Sequence, residues 1–350
     1  MRPKPPDFMR SPSEAETAPA SETVSVVICA YADERWDDLL SAIDSVADQR
    51  VAPHETIVVI DHNDALLRRL RPARPHVLAL PSCGVRGLSG ARNTGVGAAR
   101  GSVVAFLDDD ARADRGWLEQ LLAPYDDPSV IGVGGRVDAD WPHGRPRWFP
   151  REFDWVVGCS YGGLPDQPQP VRNMIGANMS LRRSALDVVG GFRDGIGRVG
   201  KRPLGCEETE LCIRARQQLP AATILFEPRA AVAHRITRDR ASWRYYCSRC
   251  YAEGLSKAAI ASAVGTSDSL SSERAHVLRT LPRGVIRGLA DALRLGDAGG
   301  LARAVAIVSG LALTIAGYAR GRLFAGQQPA GTGTRPRSPV RLAPTAASDL

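Results

Sequence analysis

Along residues 24 to 110, continuous apolar runs alternate with amphipathic stretches. Val24-Ser-Val-Val-Ile-Cys-Ala-Tyr31, Thr56-Ile-Val-Val-Ile60, His76 to Leu80 and Ser102-Val-Val-Ala-Phe-Leu107 read as buried strands. Between them, Trp36, Leu39, Leu40, Ile43 and Val46 recur at helical spacing, and Ser89 to Arg100 can form a second helix. Near-continuous buried strands alternating with helices predict an α/β fold, with a mostly parallel central sheet covered by helices on both faces. Ligands of such sheets sit beyond the carboxyl ends of the strands. Polar residues gather there: Tyr31, Asp33, Asp61 and Asp108 to Asp110. From Val130 the pattern becomes mixed. Strands are expected at Val130 to Val137, Val171 to Leu181, Thr223 to Phe226 and Ala230 to His234. Helices are expected near Trp117, at Ser184 to Val189, at Glu207 to Gln218 and at Trp243 to Ala263. Asp138 to Gln169, rich in Pro, Gly and Trp, suits a loop bordering a pocket.

Charge changes this picture only by its position. The chain has 350 residues and a net charge of +7, with 44% hydrophobic and 24% charged residues, which excludes wholesale disorder. Residues 275 to 350 carry ten arginines and three aspartates, so the first 274 residues balance 35 basic against 35 acidic groups. Only three of the basic residues are lysines, and arginine bias beside abundant Ala and Gly is weak ground for nucleic-acid binding; no such partner is expected. The seven cysteines are odd in number and scattered, which suits a reducing cytoplasm better than a disulfide framework. Cys247-Ser-Arg-Cys250 lacks the second pair that a zinc site requires and reads as part of a packed helix. Residues 1–23, without an apolar run, read as a disordered leader, and 327–350 as a disordered tail.

Three segments carry candidate chemistry. In Asp108-Asp109-Asp110, residues two apart at a strand end can face one side, so Asp108 and Asp110 can share a divalent cation, Mn²⁺ or Mg²⁺. Gly87-Leu-Ser-Gly-Ala-Arg-Asn-Thr-Gly95 permits close backbone approach, and its helix start and Arg92 can meet phosphates. Glu207 and Glu208 open a helix, where either can serve as a general base or merely favour the helix dipole. His234 ends an apolar strand and precedes Arg235, Arg238 and Arg240. It is a candidate third metal ligand, and those arginines are candidate phosphate partners.

In this order the motifs resemble the family-2 glycosyltransferases. The resemblance rests on Val24 to Tyr31, Ile57-Val-Val-Ile-Asp61, Ser89 to Gly95, Phe106-Leu-Asp-Asp-Asp110, Gly176-Ala-Asn-Met-Ser-Leu-Arg182, Gly190-Gly-Phe192, Glu207-Glu-Thr-Glu-Leu211 and His234. It implies a GT-A, Rossmann-like fold, and inverting transfer of a sugar from a nucleotide diphosphate donor to an acceptor hydroxyl on a glycan, lipid or other glycoconjugate. It places Ala30, Tyr31, Asp61 and Asp33 or Glu34 at the nucleotide base. Arg92, Asn93, Asp108, Asp109, Arg235 and Arg238 fall to the donor, and Asn178, Gly176 and Trp141 to the sugar or acceptor. Asp110, with Asp108 and His234, would hold the metal. Glu208 stands where the family usually has the aspartate of a Glu-Asp pair, which leaves the base open between Glu207 and Glu208. A Gln-x-x-Arg-Trp motif is missing, which favours addition of one sugar. A nucleotidyltransferase would need a glycine-rich loop after the first strand, where Ala30-Tyr-Ala-Asp-Glu34 stands instead. A degenerate nucleotide-sugar-binding scaffold is the alternative.

The catalytic domain is therefore expected over 24–263, followed by a helical appendage over 264–326. In Ala275 to Leu295, Arg279, Arg283 and Arg287 recur beside Leu278, Leu281, Val285, Leu289 and Leu293, a basic amphipathic pattern suited to an anionic membrane surface. Ala304 to Ala319 is uncharged, but as a helix it reaches only about 24 Å, short of a ~30 Å hydrocarbon core. Spanning a membrane, peripheral contact at its cytoplasmic face, and packing on the catalytic domain all stay open.

Overall fold

The computed structural model describes residues 22–198, 204–265 and 271–325. The expected leader up to residue 21 and the expected tail lie outside these. The elements, in order, are β1 (Val24–Ala30), α1 (Trp36–Ala47), β2 (Glu55–Ile60), α2 (Asp64–Ala73), β3 (Leu78–Pro81), α3 (Leu88–Ala98), β4 (Val103–Asp108), β5 (Ala111–Ala113), α4 (Trp117–Leu122) and β6 (Val130–Asp140). A 3₁₀ turn (Arg151–Val157) and β7 (Gln169–Pro170), β8 (Asn178–Arg182), α5 (Arg183–Val189), α6 (Glu207–Gln218), β9 (Thr223–Arg235) and α7 (Trp243–Val264) follow. The chain continues as α8 (Ser271–Ala275), a π-helical turn (His276–Thr280), α9 (Leu281–Leu295) and α10 (Ala298–Ala325).

The strands form one sheet in the order β3-β2-β1-β4-β8-β6-β9-β5, with β7 on β9. The first four are parallel, as the apolar runs predict. Beyond them β8 is antiparallel to β4 and β6, and β9 runs parallel to β6. The α/β architecture thus holds, with its second half mixed. One apolar layer, with Leu39, Ile43, Leu66, Leu70 and Trp117, packs under α1, α2 and α4. The other, with Val27, Ile57, Phe106, Met179, Leu186 and Leu211, packs under α3, α5 and α6. Each such side chain, fully buried, contributes roughly 1.5–3 kcal/mol. Gly95 lets α3 approach β1, because a β-carbon there would overlap the Val27 side chain.

Four expectations change. The two strands expected at 223–226 and 230–234 are one strand with an irregularity opposite Gly135 and Arg136, where Pro228 cannot donate to the ladder. Residues 171–177 are loop rather than strand, and only Asn178 onward pairs with β4. α2 and β5 were not anticipated. β5 has three residues, too few for a pattern, yet it pairs Ala111 with His234. Finally, the uncharged stretch 304–319 lies inside a longer helix of 28 residues.

The C-terminal helices pack on the sheet domain. α10 lies along α7 at small residues. A β-carbon at Gly254 would collide with the Thr314 carbonyl, one at Gly317 with the Tyr251 carbonyl, and one at Gly310 with Tyr246 and Phe153. α9 meets α10 at Gly288, whose β-carbon would stand 2.6 Å from the Gly300 oxygen. Tyr246 ties these layers together, donating to the Ala306 carbonyl at 2.8 Å amid Trp148, Phe149, Phe153 and Trp243. Cys247 and Cys250 lie on α7, and all seven cysteines are free.

Candidate active site

The site is built where β4 ends. Asp108 closes that strand, Asp109 and Asp110 form the turn into β5, and the β5–β9 pairing brings His234 across from Ala111. One ligand atom each from Asp108, Asp110 and His234 falls within 4.8 Å of the others. His234 Nε2 lies 2.9 Å from Asp110 Oδ1, while its Nδ1 faces Cys159 Sγ at 3.6 Å. Gly158, at φ 83°, leaves room for the ring, since a β-carbon there would press to 3.3 Å from His234 Cε1. Burial alone would lower the His234 pKa, but the Asp110 carboxylate more than offsets it and raises the group to about 10. Burial likewise opposes ionisation of Asp110, yet His234 and Arg240 hold it well below the usual range. Asp109, pushed up chiefly by burial, stands at about 6.

These residues fit a divalent cation on two counts. Two carboxylates and an imidazole converge, and Asp110 Oδ2 is buried without a hydrogen bond although Arg35 and Arg240 stand 3.1 and 3.2 Å away.

The second component is the start of α6. Cys206 precedes it in the left-handed region, at φ 73°, with its thiol donating to Glu253 Oε1 at 3.3 Å. This turn sets the directions of Glu207 and Glu208. Buried Arg92, from α3, donates to Glu207 Oε1 at 2.7 Å and to the Gly176 carbonyl at 3.0 Å, and stands 3.4 Å from Asp108. Glu207 is thereby committed to an ion pair. Glu208 forms no ion pair among the described residues; it accepts from the Thr209 hydroxyl at 3.1 Å and from its own backbone amide. Burial, reinforced by the Glu207 charge, pushes Glu208 up to about 8.

One cavity of about 290 Å³ contains Asp108, Arg92, Gly176, Glu207, Glu208, His234 and Arg240 in its walls. Its far wall is an ionic network in which Lys257 joins Glu253 and Glu273, Arg249 pairs with Glu253, and Arg172 with Glu273. Burial opposes ionisation of both glutamates, but Lys257 and the arginines hold each at about 2. The strand-end residues form a separate cluster. Asn63 donates to the Tyr31 carbonyl and to Asp33, and the Gly87 amide donates to Asp61 Oδ2 at 3.0 Å. Ala30 is buried beneath, and Glu34 is exposed beside it.

Several expected residues point elsewhere. Asn178 is wholly buried and fully engaged, accepting from Trp117 Nε1 and donating to the Arg136 and Ala230 carbonyls, so it does not face a sugar. Asn93 exchanges hydrogen bonds with the Phe192 backbone, joining α3 to the 191–192 turn. Arg235 pairs with Asp38 of α1, because a residue that follows His234 directly along a strand faces the opposite side. Arg238 and Trp141 line a second, separate cavity with His143, Arg145 and Ile236. Asp109 is held by Arg35 at 2.7 Å. Two arginines surround the triad instead: Arg35, which sequence reasoning did not assign, and Arg240, which it named only as one of three candidate phosphate partners. Arg240 was visible as one of three arginines after His234, and only the turn at residues 237–242 selects it.

Residues 25–190 match the model of glycosyl transferase family 2. A glucosyl-dolichyl phosphate glucuronosyltransferase from Haloferax volcanii is 33% identical over 238 residues, covering 67% of this chain and 76% of that protein. The chain belongs to the family-2 glycosyltransferases. This glycosyltransferase also resembles a succinoglycan biosynthesis protein of Rhizobium meliloti, 28% identical over 265 residues and covering 73% of this chain and 77% of that one. A mannosyltransferase from Pyrobaculum calidifontis, solved in complex with GDP-Man and Mn²⁺, shares its fold with a TM-score of 0.57, at 18% identity over 92% of this chain and 91% of that one. The GT-A expectation is therefore met, and the chain is an enzyme.

Proposed function

We propose that this glycosyltransferase moves one sugar from a nucleotide diphosphate donor to an acceptor hydroxyl with inversion, with Glu208 as general base. The observation that carries this reading is that two members of the metal-ligand triad, Asp108 and His234, share the walls of one cavity with Glu208, a carboxylate that forms no ion pair among the described residues. Asp108, Asp110 and His234 would hold the cation, Mn²⁺ or Mg²⁺, which when bound would supply positive charge against the donor diphosphate. Arg240, in the cavity wall, adds a fixed cation for the leaving group. Arg92 fixes Glu207 and the Gly176 carbonyl, holding the walls in place. The Tyr31, Asp33 and Asp61 cluster receives the nucleoside. As the acceptor oxygen bonds to the anomeric carbon, the bond to the diphosphate oxygen breaks and the acceptor proton passes to Glu208. That carboxyl then releases it to solvent. A single displacement inverts the anomeric centre.

A panel of nucleotide sugars with Mn²⁺, read by thermal shift and by nucleoside diphosphate release, tests this. A tight donor raises the melting temperature. Asp110→Asn should abolish both Mn²⁺-dependent stabilisation and turnover while the fold survives, and an active Asp110→Asn would end the assignment.

The outer faces of α9 and α10 favour peripheral contact with an anionic bilayer. On α10, exposed Leu301, Val305, Val308, Ala312 and Ile315 form a stripe opposite the face that packs on α7. On α9 and the preceding turn, exposed Leu278, Ile286, Leu289 and Leu293 run beside exposed Arg279, Arg283 and Arg294. Residues 298–323 are long and apolar enough to cross a membrane. However, α10 is held along α7, which carries Arg249, Glu253 and Lys257, so an in-plane position is the one proposed. Seven free cysteines fit the cytoplasmic leaflet. Sedimentation with phosphatidylserine vesicles tests this. With each arginine near the surface contributing about 1 kcal/mol, Arg279→Gln/Arg283→Gln/Arg294→Gln should weaken binding about 100-fold. Equal binding of both proteins would refute it.

A further inference from the structure

The cavity beside Glu208 has a second end that donor chemistry does not use. The nucleoside cluster of Tyr31, Asp33, Asp61 and Asn63 contributes nothing to its walls. Besides the ionic network of Arg172, Lys257 and Glu273, the cavity walls include an apolar set, Phe153, Trp155, Val156, Val277, Leu281 and Leu311, which forms an apolar arm of the lining. Four structural units build this arm: the 151–157 turn, the π-helical turn, α9 and α10. All but the first lie beyond the residues that match the family model.

These units are anchored for the purpose. Arg287 of α9 pairs with Glu152 at 3.0 Å, and Glu273 of α8 takes Arg172 of the loop that borders the donor. The helical hairpin is consequently two-sided. Its inner residues Leu281 and Leu311 wall the cavity, and its outer residues Ile286, Leu293, Val305 and Val308 are exposed. An acceptor made only of sugar would leave the apolar arm without a matching partner, whereas a hydrocarbon chain would be desolvated there.

We propose that the acceptor is a lipid whose hydroxyl-bearing head lies at Glu208 and whose hydrocarbon chain occupies the arm between Trp155 and the α9–α10 hairpin. This rests on the glycosyltransferase reading of the same site. The bilayer proposed to meet the outer face supplies the lipid, and the hairpin separates that bilayer from the cavity by one layer of helices.

The test uses the full-length protein with butyl, octyl and dodecyl β-glucosides, each below its micellar concentration. Because burial of a methylene tightens binding about fourfold, octyl glucoside should bind at least ten times more tightly than butyl glucoside. Bromination of the octyl chain end should quench tryptophan fluorescence, and Trp155→Phe should remove that quenching. Leu311→Gln should weaken octyl glucoside at least fivefold and leave butyl glucoside unchanged. Equal affinity for butyl and octyl chains, or quenching that persists in Trp155→Phe, would overturn the inference. If chain length has no effect while nucleotide sugar is still consumed in a Glu208-dependent reaction, the lipid falls and the transferase reading stands. Absence of any nucleotide-sugar binding would instead remove the transferase reading beneath it.

Discussion

Replacement of Glu208 by glutamine separates the roles of the two adjacent glutamates. The change conserves shape and removes a charge that the fold holds at a cost. Burial and the neighbouring Glu207 lift Glu208 from an ordinary 4.5 to about 8, so at pH 7 only about a tenth of the molecules carry it ionised. A base must be ionised to accept the hydroxyl proton. The kcat/KM of the wild type should thus climb nearly tenfold per pH unit between pH 5.5 and 7.5 and level off above about 8. General-base catalysis contributes about 10²–10⁴-fold, and Glu208→Gln should lose that factor together with the pH dependence. Stability moves in the opposite sense. Between pH 4.5 and 8 the native state keeps a proton that the unfolded chain releases, so the contribution of this group is fully present below 4.5 and is lost as pH rises through 8. Each pH unit of that shift corresponds to about 1.4 kcal/mol, so the loss is large enough for a urea titration to read. Urea titrations should find Glu208→Gln more stable than the wild type at pH 8.5 and little different at pH 5. Glu208→Asp should retain the pH-dependent limb at a lower rate, because the shorter side chain withdraws the carboxylate. If Glu208→Gln keeps wild-type kcat/KM and its slope with pH, Glu208 is not the base.

Further expectations follow from the packing around the site. Arg92→Ala leaves Glu207 buried and unpaired, and should cost about 3–5 kcal/mol in a urea titration; a cost under about 1 kcal/mol would contradict the ion-pair geometry. Asn178→Ala should lower stability by about 1–3 kcal/mol, through the orphaned Trp117 and carbonyl partners, and leave the donor KM unchanged. A changed KM with unchanged stability would return Asn178 to the sugar site. Gly254→Leu should lower the melting temperature and destabilise by about 3 kcal/mol or more, because α7 and α10 cannot separate without opening the cavity wall.

Local pattern carried the first half of the fold. β1, β2 and β4 are nearly continuous apolar runs buried on both faces, and α6 begins and ends where its acidic start and apolar spacing place it. β5 and the loop at 171–177 were not legible. The first gains its identity only from pairing with β9, and the second is apolar because it walls a cavity rather than because it pairs. The same distinction divides the site residues. Asp108, Asp110 and His234 could be named from composition at strand ends, since a strand fixes where its last residue points. Arg35 and Arg240 lie in turns, and whether Arg235, Arg238 or Arg240 faces the carboxylates depends on the exit of the chain from β9. Asn178 shows the reverse error: a polar residue inside a recognisable motif is fully used by the β6, β9 and α4 backbones and indole it joins.

The basic surplus of residues 275–350 takes on a different meaning once the helices have positions. Arg287 pairs with Glu152, which ties α9 to the 151–157 turn, and Arg303 pairs with Asp291 and Asp297, which joins the two helices of the hairpin. Arg279, Arg283 and Arg294 are exposed and form no ion pair among the described residues. A helix needing only to pack would gain nothing from such charges beside exposed Leu278, Ile286 and Leu293. A helix lying on an anionic surface gains from both, since the apolar row enters the boundary and the arginines stay at the headgroups. Because Leu281 and Leu311 on the opposite side of the hairpin wall the cavity, the proposed membrane contact and the proposed lipid acceptor would be served by a single element.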